Sequence, residues 1–306
     1  MNMALDLTPQ DDPEQDTPER HAVAKRSTLV SVAVNLVLTT VQVLVGVFAH
    51  SQALIADGIH SLSDLIADFV VLLANQHSRK EADEDHHYGH HRYETAASLV
   101  LGVLLLSVGI GMLWSAVHKL GDPELIPKVK PVALYVALVA LVSKELLFRY
   151  MLAAAERVRS SMLVANAWHA RSDAASSLVV ALGIIGNLAG YPLLDPVAAL
   201  IVGFMVTKMG WEFGWDALND LMDRSVSEDQ IEQIREILTD TPGVQGVHDL
   251  RTRKMGDMIM VDAHIEVDGD LSVREGHDIA ATARERVMRK LPVLDVMTHL
   301  DPVSGR

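Results

Sequence analysis

The chain has 306 residues, 49% of them hydrophobic, with a positive mean hydropathy and no cysteine. That balance excludes an ordinary soluble domain, disulfides and thiolate metal ligation, so any metal must be held by nitrogen and oxygen. A formal net charge of −14 argues against nucleic acid, which demands a basic face to release counterions, and suits a protein that handles cations.

In chain order, residues 1–24 read as a disordered acidic arm in which Asp6, Asp11, Asp12, Glu14, Asp16 and Glu19 alternate with Pro9, Pro13 and Pro18. The arm lacks the basic start, apolar middle and cleavage site of a signal peptide. Residues 25–220 read as a membrane domain with six apolar segments, at about 27–49, 53–75, 95–117, 131–154, 162–189 and 194–216. Each is near the roughly 20 residues that a bilayer demands. Gly190, Pro192 and Pro196 predict a tight turn between the last two.

Orientation follows from basic residues in short loops, which are biased toward the cytoplasm. With the N-terminus inside, that side holds Arg20, Lys25, Arg26, Arg79, Lys80, Arg92, Arg149, Arg157 and Arg159, against Lys119, Lys128 and Lys130 outside. Nine against three predicts a multi-pass membrane protein, surrounded by lipid, with both termini cytoplasmic.

Residues 221–306 change character. Ser227 predicts a cap for a helix over 228–239, with Glu228 and Asp229 complementing the dipole. Alternation predicts strands over 244–253 and 258–267, turning at Met255-Gly256-Asp257, then a helix over 273–290 and a strand over 293–300. Helix, strand, strand, helix, strand is a small α+β domain with its helices on one sheet face.

The apolar second span carries Asp57, His60, Asp64 and Asp68 at offsets of three, four and four, which form one helical stripe. The fifth carries His169 and Asp173. Ionisable groups at membrane depth are costly and usually face a partner, an ion or water. On antiparallel helices rising about 1.5 Å per residue, the two pairs reach similar depth. Two imidazoles and two carboxylates match a tetrahedral zinc shell better than the oxygen cages of magnesium or calcium, with Fe²⁺, Cd²⁺, Co²⁺ and Ni²⁺ also compatible. The alternative is that these groups only hydrogen-bond one helix to another. Asp57 and Asp68 are weaker candidates that line a path, tune charge or cap an entrance.

Two more clusters lie outside the spans. The loop Asp83-Glu84-Asp85-His86-His87-Tyr88-Gly89-His90-His91 is dense in ligand types, though such tracts also occur as weak metal attractors or solvated loops. The tail carries His248, His264, His277, His299 and Asp301, and alternation puts His299 and Asp301 on one strand face.

At these residues the chain resembles the cation diffusion facilitator family, particularly its bacterial zinc and iron exporters. The likeness runs from about Lys25 to Pro302 and rests on the ordered set of residues 56–64 (ADGIHSLSD), 169–173 (HARSD) and 248–253 (HDLRTR). It implies a homodimer of six-helix membrane domains with ferredoxin-like cytoplasmic domains, exchanging cytoplasmic divalent metal for protons. Carried over by position, it implies transport ligands His60, Asp64, His169 and Asp173, a loop site of Asp83, His86 and His90, and a regulatory tail site from His248, His264, His277, His299 and Asp301. Some bacterial relatives have Asp at the position of His60, and the histidine form resembles the zinc-preferring members. The resemblance also implies an ion pair between Arg92 and Asp223.

Proton coupling has a chemical basis beside the resemblance, because metal binding needs neutral imidazole and ionised carboxylate and so displaces protons. Glu145 and Arg149 are spaced to pair on the fourth span, and Arg171 points away from Asp173. The functional expectation is a secondary transporter, not an enzyme, exporting Zn²⁺ with Fe²⁺, Cd²⁺ or Co²⁺ as other substrates. An intramembrane metalloenzyme lacks a His-Glu-x-x-His pattern to recommend it, and a metal-sensing scaffold is the third possibility.

Overall fold

The computed structural model describes residues 18–78, 80–122, 126–157 and 161–303, without the side chains of residues 18–25, 71, 75, 161–163, 165, 166 and 169. Six long helices come first: α1 (Pro18–Ala49), α2 (Gln52–Ser78), α3 (Arg92–Gly121), α4 (Val132–Arg157), α5 (Ser161–Leu188) and α6 (Leu194–Leu221). Then follow α7 (Glu228–Thr239), β1 (Gly246–Met255), β2 (Met258–Asp268), α8 (Val273–Lys290) and β3 (Val293–Val303). The arm expected over 1–24 lies outside the described residues as far as residue 17; from Pro18 onward the backbone is already helical. Pro196 sits in the first turn of α6, where its missing N–H has no intrahelical partner to lose, instead of in the preceding turn.

α1, α3 and α6 are long and apolar enough to cross a membrane by length and composition alone. The other three carry the charges inside apolar runs: Asp57, Asp64 and Asp68 on α2, Lys144 on α4 and Asp173 on α5. Large apolar side chains such as Leu36, Leu44, Phe69, Val100 and Phe204 are exposed, the arrangement a lipid-facing surface requires.

The chain divides into two compact units. The first comprises Met1–Asp68 and Leu105–Gly210. Its core is rich in alanine, with Ala53, Ala56, Ala133, Ala137, Ala181 and Ala198 all buried, so helix backbones approach closely. Glycine is required where α3 meets α6: a Cβ at Gly109 would stand 2.4 Å from Thr207 Oγ1, and one at Gly210 would stand 2.4 Å from the Leu106 backbone nitrogen. Asp195 ties two turns together by accepting from Ser51 Oγ at 2.6 Å and from the Gln52 backbone N–H at 2.7 Å. The α6 carboxylate thereby caps α2, satisfying donors that a helix start leaves open.

The second unit comprises Phe69–Leu104 and Trp211–Arg306. α6 ends at Leu221, and just beyond it Asp223 adopts φ 61° with the Arg224 N–H returning to the Asn219 carbonyl at 3.1 Å. That is a Schellman-type stop. The sheet order is β1-β2-β3, with β1 and β2 antiparallel and β2 and β3 parallel through α8. Ile234, Leu238, Val261, Ala263, Ile265, Ala283 and Val287 form the core between the helices and one sheet face. Both helices open with a capping box, Ser227 with Gln230 and Ser272 with Glu275. β1 breaks register between His248 and Arg251, where Asp249 adopts φ 47°. This bulge interrupts the unbroken alternation expected from the sequence.

Candidate metal centre

Three groups of metal-ligand side chains come together, each with donor atoms within 4.8 Å of one another. In the first unit they are His60, Asp64 and Asp173. His60 and Asp64 are one turn apart on α2, with His60 Nδ1 3.6 Å from Asp64 Oδ2. His60 is buried, and Asp64 and Asp173 are half-buried. The backbone of His169 lies on α5 one turn before Asp173, and its side chain is outside the described residues.

Asp57 and Asp68 divide. Asp68 is exposed, whereas Asp57 has no accessible surface and sits at the centre of a polar knot. Its Oδ1 accepts from Lys144 Nζ at 3.4 Å and Ser176 Oγ at 2.9 Å, and its Oδ2 from Ser177 Oγ at 2.7 Å and from Gln42 Nε2. Lys144 Nζ also donates to Ser177 Oγ at 2.8 Å and to the Asp173 carbonyl at 3.4 Å. Sequence reasoning missed Lys144, and a lysine inside an apolar run was the available signal. Arg171 turns away from Asp173 and stacks 4.9 Å from the Phe148 ring and 5.0 Å from that of Trp168.

In the loop after α2, Asp83, His86 and His90 form the second group. Asp83 Oδ1 accepts from the His86 and Asp85 backbone N–H groups at 2.8 and 3.1 Å. These bonds, the His86 one foremost, hold the carboxyl below its ordinary range. His90 Nδ1 lies 3.2 Å from the Glu81 carbonyl, which only accepts, so that nitrogen carries a proton. Its Nε2 faces Asp83 Oδ2 at 3.3 Å, the convergence that a shared cation requires. His91 lines a cavity of about 360 Å³ with Arg284 and Asp295, and His87 borders both this cavity and the one beside His86 and His90.

The third group lies on the sheet face away from the helices. Register aligns His248 with His264 and His264 with His299 across all three strands, with ring centroids 5.1 and 4.7 Å apart. Asp301 stands among them: Oδ2 is 2.9 Å from His264 Nδ1 and 3.2 Å from His248 Nε2, and Oδ1 is 3.3 Å from His299 Nε2. The His264 hydrogen bond is the first cause holding the Asp301 carboxyl below its ordinary range. His248, His264 and Asp301 are the mutually close donors. His277 is exposed on α8 and is not in that group.

Arg92, at the start of α3, pairs with Asp223 and donates to the Leu221 carbonyl at 3.2 Å.

A helical membrane domain joined to a ferredoxin-like α+β domain, with nitrogen and oxygen ligand clusters in both, defines a divalent-metal transporter, not an enzyme. Residues 28–222 match the profile described as the cation efflux transmembrane domain, and residues 226–303 the cation efflux protein cytoplasmic domain. The chain belongs to the cation diffusion facilitator family of metal cation efflux transporters.

Manganese efflux system protein MneP of Bacillus subtilis is 30% identical, the match covering 93% of this chain and 98% of that protein. Metal tolerance protein C1 of Arabidopsis thaliana is 34% identical over 87% of this chain, which spans 59% of that longer protein. The metal-bound C-terminal domain of the CzcD transporter from Thermotoga maritima shares 29% identity, covering 24% of this chain and 87% of that domain, with a TM-score of 0.24.

Proposed function

We propose that the protein exports Zn²⁺ from the cytoplasm in exchange for protons, as a homodimer in the bacterial inner membrane with both termini cytoplasmic. The observation that carries this reading is the grouping of His60, Asp64 and Asp173 midway along apolar helices. With His169, one turn from Asp173, the set becomes two imidazoles and two carboxylates. Imidazole suits zinc, iron and other borderline ions, whereas manganese favours oxygen ligands. Fe²⁺, Cd²⁺ and Co²⁺ are secondary substrates on the same chemistry.

Protons couple because the same atoms bind either a metal or protons. A proton-rich outer side discharges the metal, and a less acidic cytoplasm reloads the site. Asp83, His86 and His90 form an accessory metal site in the loop. His248, His264, His299 and Asp301, with His277 of α8 as a further candidate, make the cytoplasmic domain a metal sensor. A sensor of this kind works only if metal binds one dimer arrangement more tightly than another.

MneP is named for manganese, so manganese is the second reading. Uptake into proteoliposomes, with Zn²⁺, Fe²⁺, Cd²⁺, Co²⁺ and Mn²⁺ compared under an imposed pH gradient, distinguishes them. Zinc should move fastest, and its transport should collapse when the gradient is dissipated. Faster manganese movement would overturn the zinc assignment, and gradient-independent flux would overturn antiport.

A further inference from the structure

Asp57 occupies the same α2 stripe as His60 and Asp64, yet it is held away from them by a buried lysine. Asp57 precedes His60 by three residues, and Ser176 and Ser177 follow Asp173 by three and four. Because α2 and α5 run in opposite directions through the membrane, both offsets lead toward the α1–α2 and α5–α6 turns. The knot therefore forms the layer next to the metal site on that side, drawing Gln42 from α1, Asp57 from α2, Lys144 from α4 and both serines from α5.

Within this layer Asp57 and Lys144 are fully engaged, while the Gln42 side-chain carbonyl is buried without a partner. The two Asp57 oxygens meet four donors, and the three Lys144 N–H bonds meet three acceptors, one of them the main-chain carbonyl of Asp173. Asp57 is 0% and Lys144 2% exposed, so water does not screen the pair. A buried ion pair of this kind is a poor source of net stability compared with apolar packing, because both charges are desolvated. Its effect is electrostatic. Paired with Lys144, Asp57 adds no net charge beside the site; unpaired, it is a third carboxylate one helical turn from His60.

We infer that Lys144 is a positioning residue for the transported metal: by engaging Asp57 it keeps that carboxylate out of the ligand set and stops the ion at the layer of His60, Asp64 and Asp173. The inference rests on the transport reading above. Without Lys144, a divalent ion has a deeper carboxylate to bind and leaves more slowly. Without Asp57, an uncompensated ammonium opposes the ion.

The two single variants therefore move metal affinity in opposite directions, which a purely structural role does not do. In proteoliposomes loaded with full-length protein, Lys144→Met should lower both KM and kcat for Zn²⁺, and Asp57→Asn should raise KM, each by about tenfold. The double variant should return KM to within about threefold of the parent. Melting temperature and gel filtration in detergent identify any variant that fails to fold, and Lys144→Arg, which keeps the charge, then supplies the readout by retaining the parental KM. KM changes of the same sign in both single variants, a double variant no closer to the parent, or a Lys144→Arg variant that behaves like Lys144→Met would overturn the inference. Absence of zinc flux in the parent itself would instead sink the transport reading.

Discussion

Arg92 and Asp223 bind each other across 131 residues of sequence, and the arginine also donates to the Leu221 carbonyl, so one guanidinium holds both the last turn of α6 and the residue that terminates it. Asp223 adopts φ 61°, a conformation unfavourable for a non-glycine side chain. Its carboxylate thus has a local reason to be there. The side chains are 39% and 53% exposed, so solvent screening limits the pair to about 1 kcal/mol or less. A double-mutant cycle on Arg92→Ala and Asp223→Ala, followed by denaturation of full-length protein, should give coupling of that size, weakening in high salt. Coupling that is indifferent to salt would contradict an ionic tie.

Substitution within the membrane site should separate ligands from neighbours. Asp173→Ala is expected to reduce metal flux at least about a hundredfold while folding and oligomeric state persist. Arg171→Ala removes a side chain that stacks on Phe148 and Trp168, and should change flux by less than about threefold. Similar losses from both would mean that the site had been assigned to the wrong face of α5.

The row of histidines across the sheet makes a graded prediction. Asp301→Asn should weaken metal binding to the cytoplasmic domain by about ten- to a hundredfold, because Asp301 touches His248, His264 and His299. His277→Ala should weaken it least among the tail histidines, since His277 is exposed on α8. Calorimetric zinc titration of full-length Asp83→Ala/Asp173→Ala protein, which removes the loop and membrane groups, isolates these sites, and an equal loss from His277→Ala would place that residue among the ligands.

Acid should act on the α8 cap. The Ser272 side-chain and backbone hydrogen bonds hold the Glu275 carboxyl below its ordinary range. A depressed folded-state value gives stability that is present above the unfolded value, about 4.3, and is lost as pH falls through the folded one. Glu275→Gln should therefore lower the melting temperature of the cytoplasmic domain at neutral pH, with the gap to the parent closing below about pH 4. A gap that widened in acid would reverse the sign of this linkage.

Helix approach in the first unit sets a steric limit. Gly109→Val would drive side-chain carbons into Thr207, and Gly210→Leu into the Leu106 backbone. Either should cost about 1–3 kcal/mol or prevent folding, read as loss of monodisperse protein in detergent. Gly111→Ala, where a Cβ meets nothing within 4 Å, should be tolerated.

Much of the architecture was legible because it follows local rules. Runs of apolar residues marked the six long helices, Ser227 marked the start of α7, and Met255-Gly256-Asp257 marked the β1–β2 turn. The residues of each ligand cluster were legible as types at characteristic spacings. What stayed hidden depends on distant partners. Lys144 stands out as a charge inside an apolar run, yet only the fold brings it to Asp57, 87 residues away. Spacing alone could not choose His86 and His90 over His87 and His91, because the choice turns on which way a short loop faces; the family resemblance supplied it. Alternation could not announce the break in β1, since Asp249 and Leu250 fit a strand pattern until Asp249 takes a left-handed backbone.

That break divides β1 into two separately phased pieces. The piece ending at His248 is in register with His264 and Glu266, while the piece from Arg251 to Met255 pairs with Met258–Asp262. A slip in the second piece would be absorbed at Asp249 and Leu250 before it reached the histidine. The ligand row is thus insulated from changes of register near the β1–β2 turn, where Gly256 packs tightly against His91 and Glu94.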